Sequence, residues 1–134
     1  MKAKPVKYIE GSGYVDVTAA EATHLLLHLP GPSGQMHLPV QIGGTRAGTG
    51  NWSWNGDCEK PTVRPSVLIR AGHYAAHFDK ERDTCWCKYN AEHPGETPVF
   101  HCFQCHTWIN DGVVQFLGDC THELAGQSLP LLDL

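Results

Sequence analysis

Two short β-prone segments joined by Asp111-Gly112 constrain this fold more than any other feature of the sequence. The segments cover residues 107–110 and 113–117. Asp-Gly readily supplies the positive φ angles that a two-residue type I′ hairpin turn requires. Because such a turn fixes the register, position 106 is expected to lie opposite position 117. Alternation along the strands predicts four residues on the core face: Thr107, Ile109, Val114 and Phe116.

The rest of the sequence favours a small, mainly β domain. It has 134 residues, and its 14 glycines and 9 prolines predict many turns and few long helices. We expect one antiparallel, β-rich domain over residues 1–134, with α+β as the alternative class and residues 1–13 as a flexible N-terminal segment. Further strands are predicted at residues 14–17, 23–29, 37–42, 52–54 and 66–70, and one helical turn at residues 119–125.

The charge distribution argues against nucleic-acid binding. The net charge is −4, and all ten Lys and Arg residues lie at or before Lys88. A face that binds a duplex needs clustered cations, so duplex nucleic acid is not an expected partner. The chain has no run of 18 apolar residues and no signal-peptide core. We therefore expect no membrane span and a cytoplasmic location, in the host cytoplasm if a phage encodes the chain.

The cysteines and histidines of the C-terminal half indicate a zinc site. Six cysteines in a protein that is not secreted favour metal-binding thiolates over disulfides. Two short-range cysteine pairs would supply the four soft ligands of a closed tetrahedral site beside the hairpin. This first-choice set is Cys85, Cys87, Cys102 and Cys105. The alternative is that the cysteines are ordinary buried thiols, which applies above all to Cys58.

The open end of the hairpin gathers a second group of side chains. The register brings position 106 beside positions 119 and 120, and a short turn would return position 122. A second metal site is therefore predicted at His106, Cys120 and His122. Strand alternation places Cys105 and His106 on opposite faces unless the strand bends at its start. We predict that the two histidines lie in one side-chain cluster with Asp119.

Several short motifs support a family resemblance. In chain order they are Trp54-Asn55-Gly56-Asp57, Pro61-Thr62, Pro65-Ser66, Cys105-His106, Asp111-Gly112 and the stretch from Asp119 to Gln127. The chain resembles a family of uncharacterised phage and bacterial zinc proteins that are often mislabelled as ammonia monooxygenase. The resemblance implies that a shared site contains Asp57, Cys105, His106, Asp119 and His122.

The chain departs from this family at one point. Relatives carry a Cys-Pro-Gly-Cys knuckle followed by a histidine, whereas the matching stretch here is Leu29-Pro30-Gly31-Pro32, followed by His37. A metal site built on that knuckle cannot exist in this chain, and we expect Cys85, Cys87 and Cys102 to compensate, with the zinc relocated. Some relatives accompany bacterial ubiquitin-like conjugation genes, which implies a defence or counter-defence setting.

Three functions are consistent with these patterns. The first is a phage- or prophage-type, zinc-stabilised module that binds a host or phage protein during host takeover or defence. The second is a zinc-dependent hydrolase of peptide or isopeptide bonds, in which His106, Cys120 and His122 hold the metal. Its catalytic residues would be His106, Asp119 and His122, with Asp119 or Asp57 as base. The third is a cysteine nucleophile, Cys120, with His106 as its base.

Overall fold

A computed structural model describes the chain over residues 1–31, 34–42, 51–75, 85–98 and 100–134. The described part is mainly antiparallel β-structure arranged in two sheets, as the sequence predicted. The first sheet has the strand order β2-β1-β3-β4 and consists of β1 (Ala3–Ile9), β2 (Gly13–Asp16), β3 (His24–Gly31) and β4 (Gly34–Gln41). The second has the order β5-β6-β7-β8-β9 and consists of β5 (Ser53–Trp54), β6 (Val63–Ala71), β7 (Phe103–Asn110), β8 (Val113–Phe116) and β9 (Ser128–Pro130).

Helical structure is minor in the described residues. One α-helix, α1, covers Trp86–Glu92, and single 3-10 turns cover Ala19–Glu21 and Gly72–Tyr74. None of the described helices is long and apolar enough to cross a membrane.

Both sheets contribute to one hydrophobic core. The first sheet supplies Leu25, Leu27 and Leu29, each with 0% of its surface exposed, from alternate positions of β3. The second supplies Ile109 from β7 and Phe116 from β8. Removing this apolar surface from water is the main force that holds the two sheets together.

The C-terminal hairpin agrees with the sequence prediction in turn and register. Asp111 and Gly112 have φ angles of +48° and +77°, as a type I′ turn requires. Strands β7 and β8 pair in the expected register, and the Leu117 N–H donates to the His106 carbonyl at 2.9 Å. The core face carries the four predicted residues, each at most 1% exposed: Thr107, Ile109, Val114 and Phe116.

Three local expectations were wrong. Residues 1–13 are not a flexible segment, because β1 lies between β2 and β3 and buries Ala3 and Val6. Cys85-Trp86-Cys87 is not a continuous extended segment, since α1 begins at Trp86. Residues 119–125 form turns rather than a helix. Of the stretch that replaces the family's knuckle, Pro32 lies outside the described residues.

Candidate active site and metal-ligand clusters

A bulge in β6 places Ser66 beside the hairpin. Val63 pairs with Ile109 and Val67 with Thr107, so the intervening β6 residues, Arg64 to Ser66, oppose only one residue of β7. Beyond the bulge, Leu68 pairs with His106. Bulges bend a strand and change the direction of a side chain, and they are common next to active sites.

Ser66, His106 and Asp119 form a continuous chain of hydrogen bonds. The Nδ1 atom of His106 lies 2.9 Å from Oδ2 of Asp119, and its Nε2 atom lies 2.9 Å from Oγ of Ser66. An ionised carboxylate only accepts hydrogen bonds, so Nδ1 is the donor to Asp119; when the ring is neutral, Nε2 then accepts a hydrogen bond from the Ser66 hydroxyl. This order of groups and this tautomer are those of a Ser-His-Asp triad.

Strand β7 and the segment after β8 hold Asp119 in place. Gln104 donates through its side-chain amide to the Asp119 carbonyl at 3.0 Å. The backbone N–H of Gln104 donates to the Thr121 hydroxyl at 2.9 Å, and its carbonyl accepts from the Thr121 N–H at 3.0 Å. The Cys120 thiol contacts the backbone N–H and C=O of His106 at 3.2 and 3.3 Å. These contacts attach residues 119–121 to the edge of β7 that β8 no longer covers. Asp119 is therefore brought to His106 by backbone pairing as well as by its own charge.

The triad lies on the face of the second sheet that is turned away from the core. The His106 side chain is 24% exposed and the Asp119 side chain 50% exposed. Neighbouring positions on this face are also open to solvent, as the 39% exposure of Leu68 shows. Among the described residues, this face of the sheet is therefore open to solvent at Leu68 and Asp119.

Of the predicted hydrolase residues, His106 and Asp119 come together and His122 does not join them. The His122 ring packs edge-on against Phe116 at 5.3 Å, on the core side of the hairpin. His106 belongs to the opposite face, since it follows the buried Cys105 in a regular strand. The predicted cluster of His106 with His122 was therefore wrong. Ser66 was the residue that sequence reasoning missed, although it belongs to the Pro65-Ser66 motif.

Two other residues named by the resemblance have local roles. Asp57 accepts hydrogen bonds from the backbone N–H groups of Lys60 and Glu59, at 2.9 and 2.8 Å, and these bonds lower the pKa of its carboxyl group. It has no described contact with the triad. His37, the residue that follows the lost knuckle, stacks on His28 with ring centroids 4.3 Å apart.

One group of side chains could hold a metal ion near the start of β7. Its members are His73, Cys85, Cys87 and Cys102, and the ligand atoms of all four lie within 4.8 Å of one another. Burial by itself would raise the pKa of Cys102, but hydrogen bonds with His73 and Cys87 lower it to about 6. The thiol of Cys102 therefore has strong thiolate character at neutral pH, which is the form that binds metals.

A second group lies on the core side of the hairpin. Cys105, Cys120 and His122 also have ligand atoms within 4.8 Å of one another. Burial and the neighbouring Cys120 raise the pKa of Cys105 to about 12, and burial lowers the pKa of His122. The Nε2 atom of His122 is buried and has no hydrogen-bond partner among the described residues.

The two groups contain a different combination of ligands from the two sets that the sequence predicted. Cys85, Cys87 and Cys102 come together as expected, but His73 takes the place of Cys105. In the second group Cys105 takes the place of His106 beside Cys120 and His122. The physical reason is strand alternation: Cys105 and His106 are adjacent in β7, so only one of them can face the core. All six cysteines are free thiols.

Comparison with known proteins identifies one matching family. No curated protein and no solved structure matches the chain. One family model matches residues 2–117, and its description is BubE, bacterial ubiquitination-like system serine protease. The matched residues include Ser66 and His106 and end shortly before Asp119. The chain therefore belongs to the bacterial BubE family.

Proposed function

We propose that this protein is a serine peptidase whose catalytic residues are Ser66, His106 and Asp119. The observation that carries the proposal is the hydrogen-bond chain from Ser66 Oγ through both ring nitrogens of His106 to Asp119, with both distances at 2.9 Å. The family description, a serine protease of a bacterial ubiquitination-like system, names the same chemistry.

Each residue of the triad has a defined role in this mechanism. Ser66 Oγ attacks the carbonyl carbon of the scissile bond while His106 Nε2 takes the hydroxyl proton. Asp119 stabilises the imidazolium that results and keeps the ring in the productive tautomer. The imidazolium then gives its proton to the departing amine, which leaves an acyl-enzyme on Ser66. A water molecule, deprotonated by His106, hydrolyses this ester and restores the serine.

The outer edge of β6 after Ser66, which pairs with no described residue, supports an extended substrate. The backbone of His106 is directed toward β8 and Cys120, so Cys105 and Thr107 pair with β6 through Ile69 and Val67. The backbone groups of Leu68 and Arg70 must then point away from β7. No described residue pairs with these outward groups, and they follow Ser66 directly along the strand. An extended peptide can add here as a strand.

A depression beside Ser66 would receive a substrate side chain. The Trp52 indole N–H donates to the Ser66 carbonyl at 3.2 Å, which connects one wall of the depression to the backbone of Ser66. Its volume is about 510 Å³. The lining residues are Ile42, Asn51, Trp52, Ser53, Trp54 and Arg64.

The proposed substrate is the extended tail of a ubiquitin-like protein joined through its carboxyl end to an amine. The solvent-exposed triad and the outer edge of β6, which pairs with no described residue after Ser66, suit a flexible chain segment, and the family description supplies the ubiquitination-like setting. The bond would be a peptide or isopeptide bond. The enzyme's partner would then be a bacterial or phage protein carrying this modification.

We also propose that the metal of this protein is zinc and that it is structural. The two Cys/His groups offer thiolates and imidazoles, the donors that zinc prefers. The triad provides nucleophile and base without a metal, and both ring nitrogens of His106 are already hydrogen-bonded. The serine mechanism is therefore favoured over the zinc-dependent hydrolase and over a Cys120 nucleophile.

A zinc-stabilised module that binds a host or phage protein is the second candidate function. The observation in its favour is the four-residue group at His73, Cys85, Cys87 and Cys102, which would stabilise a small fold without taking part in chemistry. A binding module needs no reactive serine, so the reactivity of Ser66 separates the two functions.

Covalent labelling with a fluorophosphonate probe tests the peptidase. The probe reacts with serines that an adjacent base activates, and intact mass identifies the adduct. We expect stoichiometric labelling of the wild type and none of Ser66→Ala. Ser128→Ala is the matched control, since Ser128 lies on β9 opposite Gln115 and outside both the triad and the depression. Absence of labelling in folded wild-type protein, or equal labelling of Ser66→Ala, would contradict the proposal and favour the binding module.

A further inference from the structure

We propose that His73, Cys85, Cys87 and Cys102 bind one zinc ion in a closed, four-coordinate site that anchors α1 to the second sheet. Three thiolates and one imidazole are a common donor set of structural zinc. With bonds of about 2.3 Å, tetrahedral geometry separates neighbouring sulfur ligands by roughly 3.8 Å. The ligand atoms here all lie within 4.8 Å of one another, so small side-chain rotations complete the site.

The absence of a side chain at Gly72 leaves space for the Cys102 sulfur. Gly72 adopts a φ angle of +64°, and a Cβ atom at this position would lie 2.2 Å from the Cys102 Sγ atom. Only glycine meets both conditions without strain. The chain therefore brings the residue before His73 into close contact with the Cys102 thiol, as two ligands of one ion require.

The position of the ligands explains what a metal would do. His73 lies in the 3-10 turn that follows β6, Cys102 directly precedes β7, and Cys85 and Cys87 lie at the start of α1. The helix has seven residues and none of them is buried. Isolated helices of this length are unstable in water, so α1 needs an anchor other than core packing. Zinc bound to Cys85 and Cys87 supplies it.

The second Cys/His group does not make an equivalent site. Cys105, Cys120 and His122 offer three donors among the described residues, whereas a closed zinc site needs four. Their thiols belong to the hydrophobic core, where free cysteines pack as small apolar side chains. The ion is therefore assigned to the first group alone.

Metal analysis of protein purified under reducing conditions tests this assignment. We expect about one zinc per chain in the wild type and in Cys58→Ser and Cys105→Ser, and almost none in Cys85→Ser or Cys87→Ser. The last two variants leave the core intact, because they alter a helix without buried residues. Cobalt substitution should give the intense visible bands of tetrahedral thiolate coordination, weakened in His73→Ala.

Three outcomes would overturn the inference. The first is wild-type protein without zinc, and the second is a disulfide between Cys85 and another cysteine in protein purified under reducing conditions. The third is loss of zinc in Cys105→Ser but not in Cys87→Ser. Metal content and the cobalt spectrum require no substrate. Failure of this inference is therefore distinguishable from failure of the proposed peptidase activity, which the fluorophosphonate probe reports.

Discussion

Replacing Asp119 by Asn tests whether the carboxylate orients His106, the proposed catalytic base. The carboxylate accepts a hydrogen bond from the Nδ1–H group of His106 at 2.9 Å, and this contact directs Nε2 toward Ser66. An asparagine of the same shape can donate an N–H to the ring, which favours the wrong tautomer, and it cannot stabilise the imidazolium. The nucleophile remains in place in Asp119→Asn, so only its activation is lost.

The exposure of Asp119 sets the size of the effect. Where the aspartate of a triad is buried, this substitution lowers turnover by about 10⁴-fold. The Asp119 side chain is 50% exposed, so water already screens its charge. We therefore expect the rate of fluorophosphonate labelling to fall by about 10²- to 10³-fold, within the range of general-base assistance. This corresponds to about 3–4 kcal/mol in the barrier.

The assay is the second-order rate of labelling, followed by intact mass, with circular dichroism to show that the variant is folded. Glu123→Gln is the matched control, because it removes one negative charge from the same segment without touching His106. Its labelling rate should equal that of the wild type. An unchanged rate in folded Asp119→Asn would refute the orienting role, and an equal loss in Glu123→Gln would show a nonspecific charge effect.

Three further predictions concern the strand edge, the core and the turn. Leu68→Pro removes an outward backbone N–H, so cleavage of fluorogenic peptides should slow while fluorophosphonate labelling stays unchanged. Leu68→Ala is the control, and equal slowing of both reactions in Leu68→Pro would argue against strand addition. Ile109→Ala should lower the free energy of unfolding by about 2–5 kcal/mol in urea titration, because Ile109 is only 1% exposed. Val113 is exposed, so Val113→Ala should change this free energy by about 0.5 kcal/mol or less. Gly112→Ala should cost about 1–3 kcal/mol in thermal unfolding, since its φ is +77° and a Cβ would lie 3.3 Å from the Glu59 carbonyl oxygen; wild-type stability would contradict this strain.

Local chemistry in the sequence was sufficient to predict the C-terminal hairpin. Asp111-Gly112 determines the turn type, the turn determines the register, and the register determines which residues face the core. The same reasoning places Asp119 near His106, because both lie just beyond the paired ends of one hairpin. It also separates Cys105 from His106, since adjacent strand residues point to opposite faces. Each of these inferences depends on residues that are close in sequence.

Only the tertiary structure decided the features that join distant segments. β1 has no clear alternation of its own, and it becomes an inner strand because β2 and β3 pair with both of its edges. His73 joins the cysteine group because the end of β6 lies beside the start of β7. In the sequence, 28 residues lie between His73 and Cys102.

Ser66 shows the same limit at the candidate active site. Apart from the Pro65-Ser66 motif, no local pattern distinguishes this serine, because its contact with His106 depends on the bulge in β6 and on the pairing with β7, 40 residues further along. Hydrophobic periodicity specifies which face of a strand is buried, but it does not specify which strands become neighbours. The packing of the whole core determines which strands are neighbours, and this arrangement brings Ser66, His106 and Asp119 together.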